Sequence, residues 1–64
     1  MDLSQRVYRA RFILSVKERR ADELNRLQDQ YPNMFRLEYL GELNDDEIKW
    51  IVEVLKHRLK SGAQ

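Results

Sequence analysis

The chain has 64 residues, of which 42% are hydrophobic and 36% charged, and its formal net charge is +1. This length predicts a single small domain over residues 1–64. Its core is expected to be too small for stability without a disulfide, a bound metal or a partner chain. The absence of cysteine excludes disulfides and thiolate metal sites, and the small net charge gives no global field that favours nucleic acid or a membrane.

The N-terminal stretch RVYRARFILSVKERR, residues 6–20, carries six basic side chains and one acid. Apolar side chains occupy every second position within it: Tyr8, Ala10, Phe12, Leu14 and Val16. This alternation, together with the aromatic and β-branched content, predicts a strand over 6–14. The competing pattern is a helical stripe that starts at Leu3 and continues through Val7, Ala10 and Leu14.

A helix is predicted next, over 16–30. Ser15 and Glu18 have the spacing of a capping box, in which each side chain satisfies a backbone N–H at the start of a helix. Leu24 and Leu27 then continue an apolar stripe at helical spacing. Pro32 disfavours helical backbone at the residue before it and therefore ends the segment.

The second half of the chain repeats this order. Phe35, Leu37 and Tyr39 alternate with charged residues and predict a strand over 34–41. Asn44 and Glu47 again have capping-box spacing and predict a helix over 45–60.

The element order β-α-β-α predicts an α/β fold, in which two helices cover one face of a two-stranded parallel sheet. A sheet of two strands is marginal in water and leaves both of its edges unpaired. A homodimer that extends the sheet across a two-fold axis is the simplest remedy. The alternative is an all-α helical hairpin dimer.

The helix predicted over 45–60 carries two apolar stripes. The broader stripe is expected to cover the sheet and contains Ile48, Ile51, Val52, Leu55 and Leu59. The second stripe, Trp50, Val54 and His57, lies on the opposite side. A helix docked on one sheet does not need this second stripe, and Trp is a frequent anchor of binding hot spots. We therefore expect Trp50, Val54 and His57 to bind a partner.

The basic residues suggest an alternative function. On the predicted strands, Arg9, Arg11 and Arg36 point to the face opposite the core. A dimer would double them into a basic sheet face that follows a phosphate backbone. No exposed aromatic side chain is interleaved with them, which weakens the case for stacking on RNA bases.

Signatures of catalysis are absent. The sequence has no nucleophile elbow, P-loop or dinucleotide fingerprint, and His57 has no neighbouring Ser, Cys or carboxylate at triad spacing. We therefore expect a non-enzymatic, cytoplasmic, homodimeric regulator or adaptor without cofactor, metal or membrane contact. Its predicted partner is a larger protein, bound through the second helix. The alternative is a nucleic-acid-binding dimer.

Overall fold

The computed structural model describes the backbone of residues 3–62 and the side chains of residues 3–60. Four helical elements follow one another along the chain: α1 (Leu3–Lys17), α2 (Ala21–Gln30), a 3₁₀ helix (Leu37–Glu42) and α3 (Asp45–Gly62). This part of the chain contains no strand. The predicted α/β class is therefore wrong, and the all-helical alternative is the correct fold class.

The strand predicted over 6–14 lies inside α1. The alternation of apolar residues led to the wrong prediction because Tyr8, Phe12 and Val16 are each four residues apart. This spacing fits both a strand and one face of a helix. These three side chains are buried in the core. The intervening Ala10 is exposed, as a helix requires and a strand of this register does not.

The helix predicted over 16–30 is interrupted by a corner between α1 and α2. Ser15 belongs to α1 and donates from Oγ to the Phe12 carbonyl at 2.8 Å, so it does not cap a helix. The N–H of Arg20 bonds to the Ser15 carbonyl at 2.8 Å and that of Arg19 to the Val16 carbonyl at 3.1 Å. This pair of bonds is the Schellman pattern that ends a helix. Arg19 occupies its left-handed position, with φ 55°.

The strand predicted over 34–41 is also wrong. The backbone is extended at Arg36 and then winds into the 3₁₀ helix, where the N–H of Tyr39 bonds to the Arg36 carbonyl at 3.0 Å. An isolated strand leaves its backbone groups without partners, whereas a 3₁₀ turn satisfies them locally. Tyr39 reaches the core, while Leu37 remains exposed.

The helix predicted over 45–60 is confirmed, and α3 extends to Gly62. Its capping box is present in full. The Asn44 N–H bonds to Glu47 Oε1 at 2.8 Å, and the Glu47 N–H bonds to Asn44 Oδ1 at 2.9 Å.

All four elements pack on one core, in which seven apolar side chains are buried: Tyr8, Phe12, Val16, Leu24, Leu27, Tyr39 and Ile51. Tyr8 is at its centre, with its ring stacked on Phe12 at 5.8 Å and edge-on to Tyr31 at 6.0 Å between centroids. Burial raises the pKa of the Tyr8 phenol, and the protonated hydroxyl donates to Gln28 Oε1 at 2.9 Å. The core thus combines an aromatic cluster around Tyr8 with aliphatic side chains from α1, α2 and α3.

Two leucine truncations test this packing. Leu27 is 0% exposed, so Leu27→Ala removes buried apolar contacts and should lower the free energy of unfolding by about 2–5 kcal/mol. Leu37 is 78% exposed, and Leu37→Ala should leave it nearly unchanged. Urea denaturation followed by circular dichroism measures both effects. Equal losses in the two variants would contradict the assignment of inside and outside.

Candidate interaction surface

One side of the molecule exposes a set of large apolar side chains, contributed by α3, by the start of the 3₁₀ helix and by the segment before it. We call this set the groove face; its members are Phe35, Leu37, Val52, Leu55 and Leu59. The face surrounds a groove of about 300 Å³, lined mostly by apolar side chains that include Phe12 and Leu24. A surface of this kind on a small domain marks a binding site more often than bare solvent contact.

The rotation of α3 produces the groove face. Within the stripe expected to cover a sheet, Ile51 is buried and Ile48 half-buried, while Val52 and Leu55 are open. The helix therefore buries the edge of the stripe and leaves its middle at the surface. Without a sheet to cover, three members of the stripe, Val52, Leu55 and Leu59, stay partly or largely exposed.

Trp50, Val54 and His57 do not form an open apolar face. Trp50 and Val54 are half-buried and pack against the core, whereas His57 is exposed. The Arg19 guanidinium lies 5.6 Å from the centroid of the Trp50 ring, at cation–π distance. The structure thus gives Trp50 an intramolecular contact, and a role of the three residues in partner binding stays a prediction.

Arg9, Arg11 and Arg36 are not brought together on one sheet face, because the sheet does not exist. Arg9 and Arg11 are two positions apart on α1 and so lie on roughly opposite sides of it. Arg9 pairs with Glu42 of the 3₁₀ helix, and Arg11 pairs with Glu23 of α2. The hydrogen bond from Arg11 holds the pKa of Glu23 below its ordinary value. Arg36 has no ion pair within residues 3–60.

The orientation of α3 depends on the buried carboxylate of Glu47. Lys17 Nζ at the end of α1 donates to Glu47 Oε1 at 2.9 Å, and Arg19 Nη1 of the corner lies 3.9 Å from Oε2. With the N–H of Asn44, the carboxylate thus has two hydrogen-bond donors and one further cation, from three parts of the chain. Hydrogen bonding from Lys17 and from the Asn44 backbone lowers the pKa of Glu47.

A second apolar surface runs along α1, on the side away from the core. We call it the outer stripe; its members are Leu3, Val7, Ala10 and Leu14. Their spacings of four, three and four match the seam of a coiled coil. The sequence showed this helical stripe, but the strand reading of the same segment obscured it.

The described residues offer no metal site and no membrane-spanning helix. No group of three or more His, Cys, Asp or Glu side chains among them is placed to hold a metal ion. None of their helices combines the length and apolar character needed to cross a membrane. No protein-family model, curated protein or solved structure matches the chain.

Sequence reasoning missed the groove face because it assigned Phe35, Leu37 and Leu55 to the interior. The sequence did contain a signal for an exposed apolar face on α3. This helix carries two apolar stripes, whereas packing against one core requires only one. We infer that the choice of which stripe is exposed depends on the contact between Lys17 and Glu47, which are thirty residues apart.

The pH dependence of stability tests the Glu47 site. A carboxylate whose pKa is lowered on folding stabilises the protein above its unfolded pKa, and this stabilisation is lost as the pH falls through the folded pKa. Glu47→Gln should therefore lower the Tm by several degrees at neutral pH and flatten the acid-side decline in Tm. Calorimetry from neutral to acidic pH measures both.

Glu53→Gln is the matched control, since Glu53 is an exposed glutamate of the same helix with no ion pair in the described part of the chain. It should keep the wild-type Tm profile. If both variants behaved alike, the proposed structural role of Glu47 would be refuted.

Proposed function

We propose that this protein is a small non-enzymatic interaction module, a regulator or adaptor that binds a larger protein through α3. The observation that supports it is the groove face, whose five large apolar side chains are exposed and of which all but Leu59 line one groove. Burial of apolar surface against a partner contributes about 25 cal/mol of binding free energy for each Å² that is removed from water. A bound partner removes that surface from water.

The groove fits a helix that inserts apolar side chains at intervals of three and four residues. Val52 and Leu55 lie on its α3 side, Phe35 lies on the segment that leads into the 3₁₀ helix, and Leu37 is the first residue of that helix. Because Phe12 and Leu24 belong to the rigid core and also line the groove, its base is pre-formed. Pre-formed sites lose little conformational entropy on binding.

We also propose that the protein forms a homodimer, with the outer stripe of α1 as its contact. In an antiparallel pair, Leu3 of one copy faces Leu14 of the second copy, and Val7 faces Ala10. The small Ala10 allows the helices to approach closely. Arg9, Arg11 and Lys17 of α1 are already paired within the chain, so Arg6 is the one cation of α1 without an ion pair in residues 3–60.

A cytoplasmic location belongs to the same proposal. A chain without cysteine is compatible with a reducing compartment, where protein partners are abundant.

Photo-crosslinking tests the function. A photoreactive leucine analogue placed at Leu55 should crosslink a specific protein in lysate of the native host, whereas the same analogue at Leu14 should crosslink a second copy. The captured protein is then purified and its affinity measured. Val52→Glu should weaken its binding by at least about thirtyfold, because it puts a charge into an apolar contact.

Leu14→Glu is the control, since Leu14 is an exposed α1 leucine away from the groove. It should keep the partner and convert the dimer to a monomer in sedimentation, while Val52→Glu should keep the dimer. The proposal fails if Leu55 captures nothing, or if Val52→Glu leaves the affinity for the captured protein unchanged.

Nucleic-acid binding stays the alternative prediction, although its basic sheet face is absent. Arg36 is exposed and without an ion pair in residues 3–60, whereas Arg9 and Arg11 are neutralised by carboxylates. If the chain binds DNA or RNA, Arg36→Ala should lower the salt slope of log K by about one unit, and Arg9→Ala by less. Fluorescence anisotropy with labelled oligonucleotides over a salt series measures this. Absence of binding at low salt would eliminate the alternative.

A further inference from the structure

The unpaired cations of this protein are concentrated around the groove face. Within residues 3–60, twelve basic side chains are present, and five have no ion pair: Arg6, Arg36, Lys49, Lys56 and Lys60. Of these, only Arg6 lies elsewhere, on α1. Arg36 stands between Phe35 and Leu37, and the three lysines belong to α3.

Helical geometry places the lysines along one border of the α3 stripe. At about 100° per residue, Lys56, Lys49 and Lys60 lie about 70°, 90° and 110° from the centre of the stripe formed by Ile48, Val52, Leu55 and Leu59. All three are exposed. The apolar surface is therefore bordered by a row of ammonium groups on the side away from the core.

Glu53 lies one turn from both Lys49 and Lys56, but no carboxylate of α3 forms an ion pair with the three lysines among the described residues. Glu53 and Asp46 lie farther round the helix, about 130° and 150° from the centre of the stripe. Asp45 is closer to the stripe but belongs to the first turn, where a negative charge complements the helix dipole. Along the remaining turns, the border next to the stripe is positive.

We infer that the occupant of the groove is an amphipathic helix of a partner protein whose apolar seam is flanked by Asp and Glu. Its apolar side chains would fill the groove, and its carboxylates would lie opposite Lys49 and Lys56. Charge complementarity of this kind steers association and fixes the register of a helix in a groove. This inference rests on the proposed function and names the chemistry of the partner.

The same charges argue against a second copy as the occupant. An antiparallel pair of α3 helices that matches Ile48 with Leu59 and Val52 with Leu55 brings Lys49 of one copy close to Lys56 of the other. Like charges at the edge of a helix seam oppose association. An acidic helix meets both lysines with opposite charge.

Three synthetic helical peptides test the inference. They share one length and one leucine seam, with leucine at i, i+4, i+7 and i+11, and carry Glu, Gln or Lys at the seam-flanking positions. Anisotropy of each labelled peptide, titrated with the full chain at low and at physiological salt, gives its Kd. The Glu peptide should bind about tenfold more tightly than the Gln peptide at low salt, the Lys peptide should bind most weakly, and salt should reduce the difference.

Three variants locate the effect. Lys49→Glu combined with Lys56→Glu should abolish the preference for the Glu peptide and increase affinity for the Lys peptide. Arg6→Glu is the matched control, because Arg6 is an exposed, unpaired helical cation outside the groove face; it should keep the wild-type order. Val52→Glu should weaken all three peptides. Unchanged circular dichroism establishes that the variants are folded.

The outcomes separate the inference from the function on which it rests. Equal affinities for the three peptides, all lost in Val52→Glu, would overturn the acidic partner and leave the groove as a binding site. No binding of any peptide, with a dimer that Val52→Glu dissociates, would assign the groove to a second copy and overturn both. Binding of anionic phosphatidylglycerol vesicles in preference to the Glu peptide, weakened by the double lysine variant, would assign the face to a lipid surface and overturn both.

Discussion

The carboxylate of Glu47, a residue that is 5% exposed, links three parts of this protein at the start of α3. A buried carboxylate only accepts hydrogen bonds and requires donors or cations beside it. Lys17 and the Asn44 backbone donate to Oε1, and the Arg19 guanidinium forms an ion pair with Oε2, so one group joins the end of α1, the corner after it and the start of α3. Fixing Glu47 inward puts Ile51, one turn later, into the core. It also turns Val52 out to the groove.

Local rules predicted α3 well, because a capping box and an amphipathic run are properties of consecutive residues. They failed for α1, because Tyr8, Phe12 and Val16 repeat every four residues and fit either secondary structure. The exposed Ala10 and Leu14 then completed the apparent alternation. Only the packing of Tyr8 against rings that are distant in sequence, such as Tyr31 and Tyr39, selects the helix.

Only part of the candidate site could be predicted from the sequence. The pattern correctly gave α3 more apolar surface than one core can cover, but it put Trp50 outside and Leu55 inside. The rotation that decides between the two stripes comes from Lys17, thirty positions before Glu47. No window of adjacent residues contains that contact. Phe35 and Leu37 were assigned inward for a related reason, since a strand presupposes a neighbour that this chain does not supply within its described residues.

Arg19 has a left-handed backbone conformation at the corner between α1 and α2, and its side chain links that corner to α3. A residue with a side chain is less stable than glycine in this conformation by about 1 kcal/mol or more, so the turn is not favoured by its own backbone. Within the corner, Arg19 Nη1 donates to the Val16 carbonyl at 2.7 Å, and its guanidinium also contacts the ring of Trp50 and the carboxylate of Glu47, both on α3. Detachment of α3 would remove two of these three contacts and leave the left-handed backbone of Arg19 in place. We therefore expect opening of α3 to weaken the corner as well.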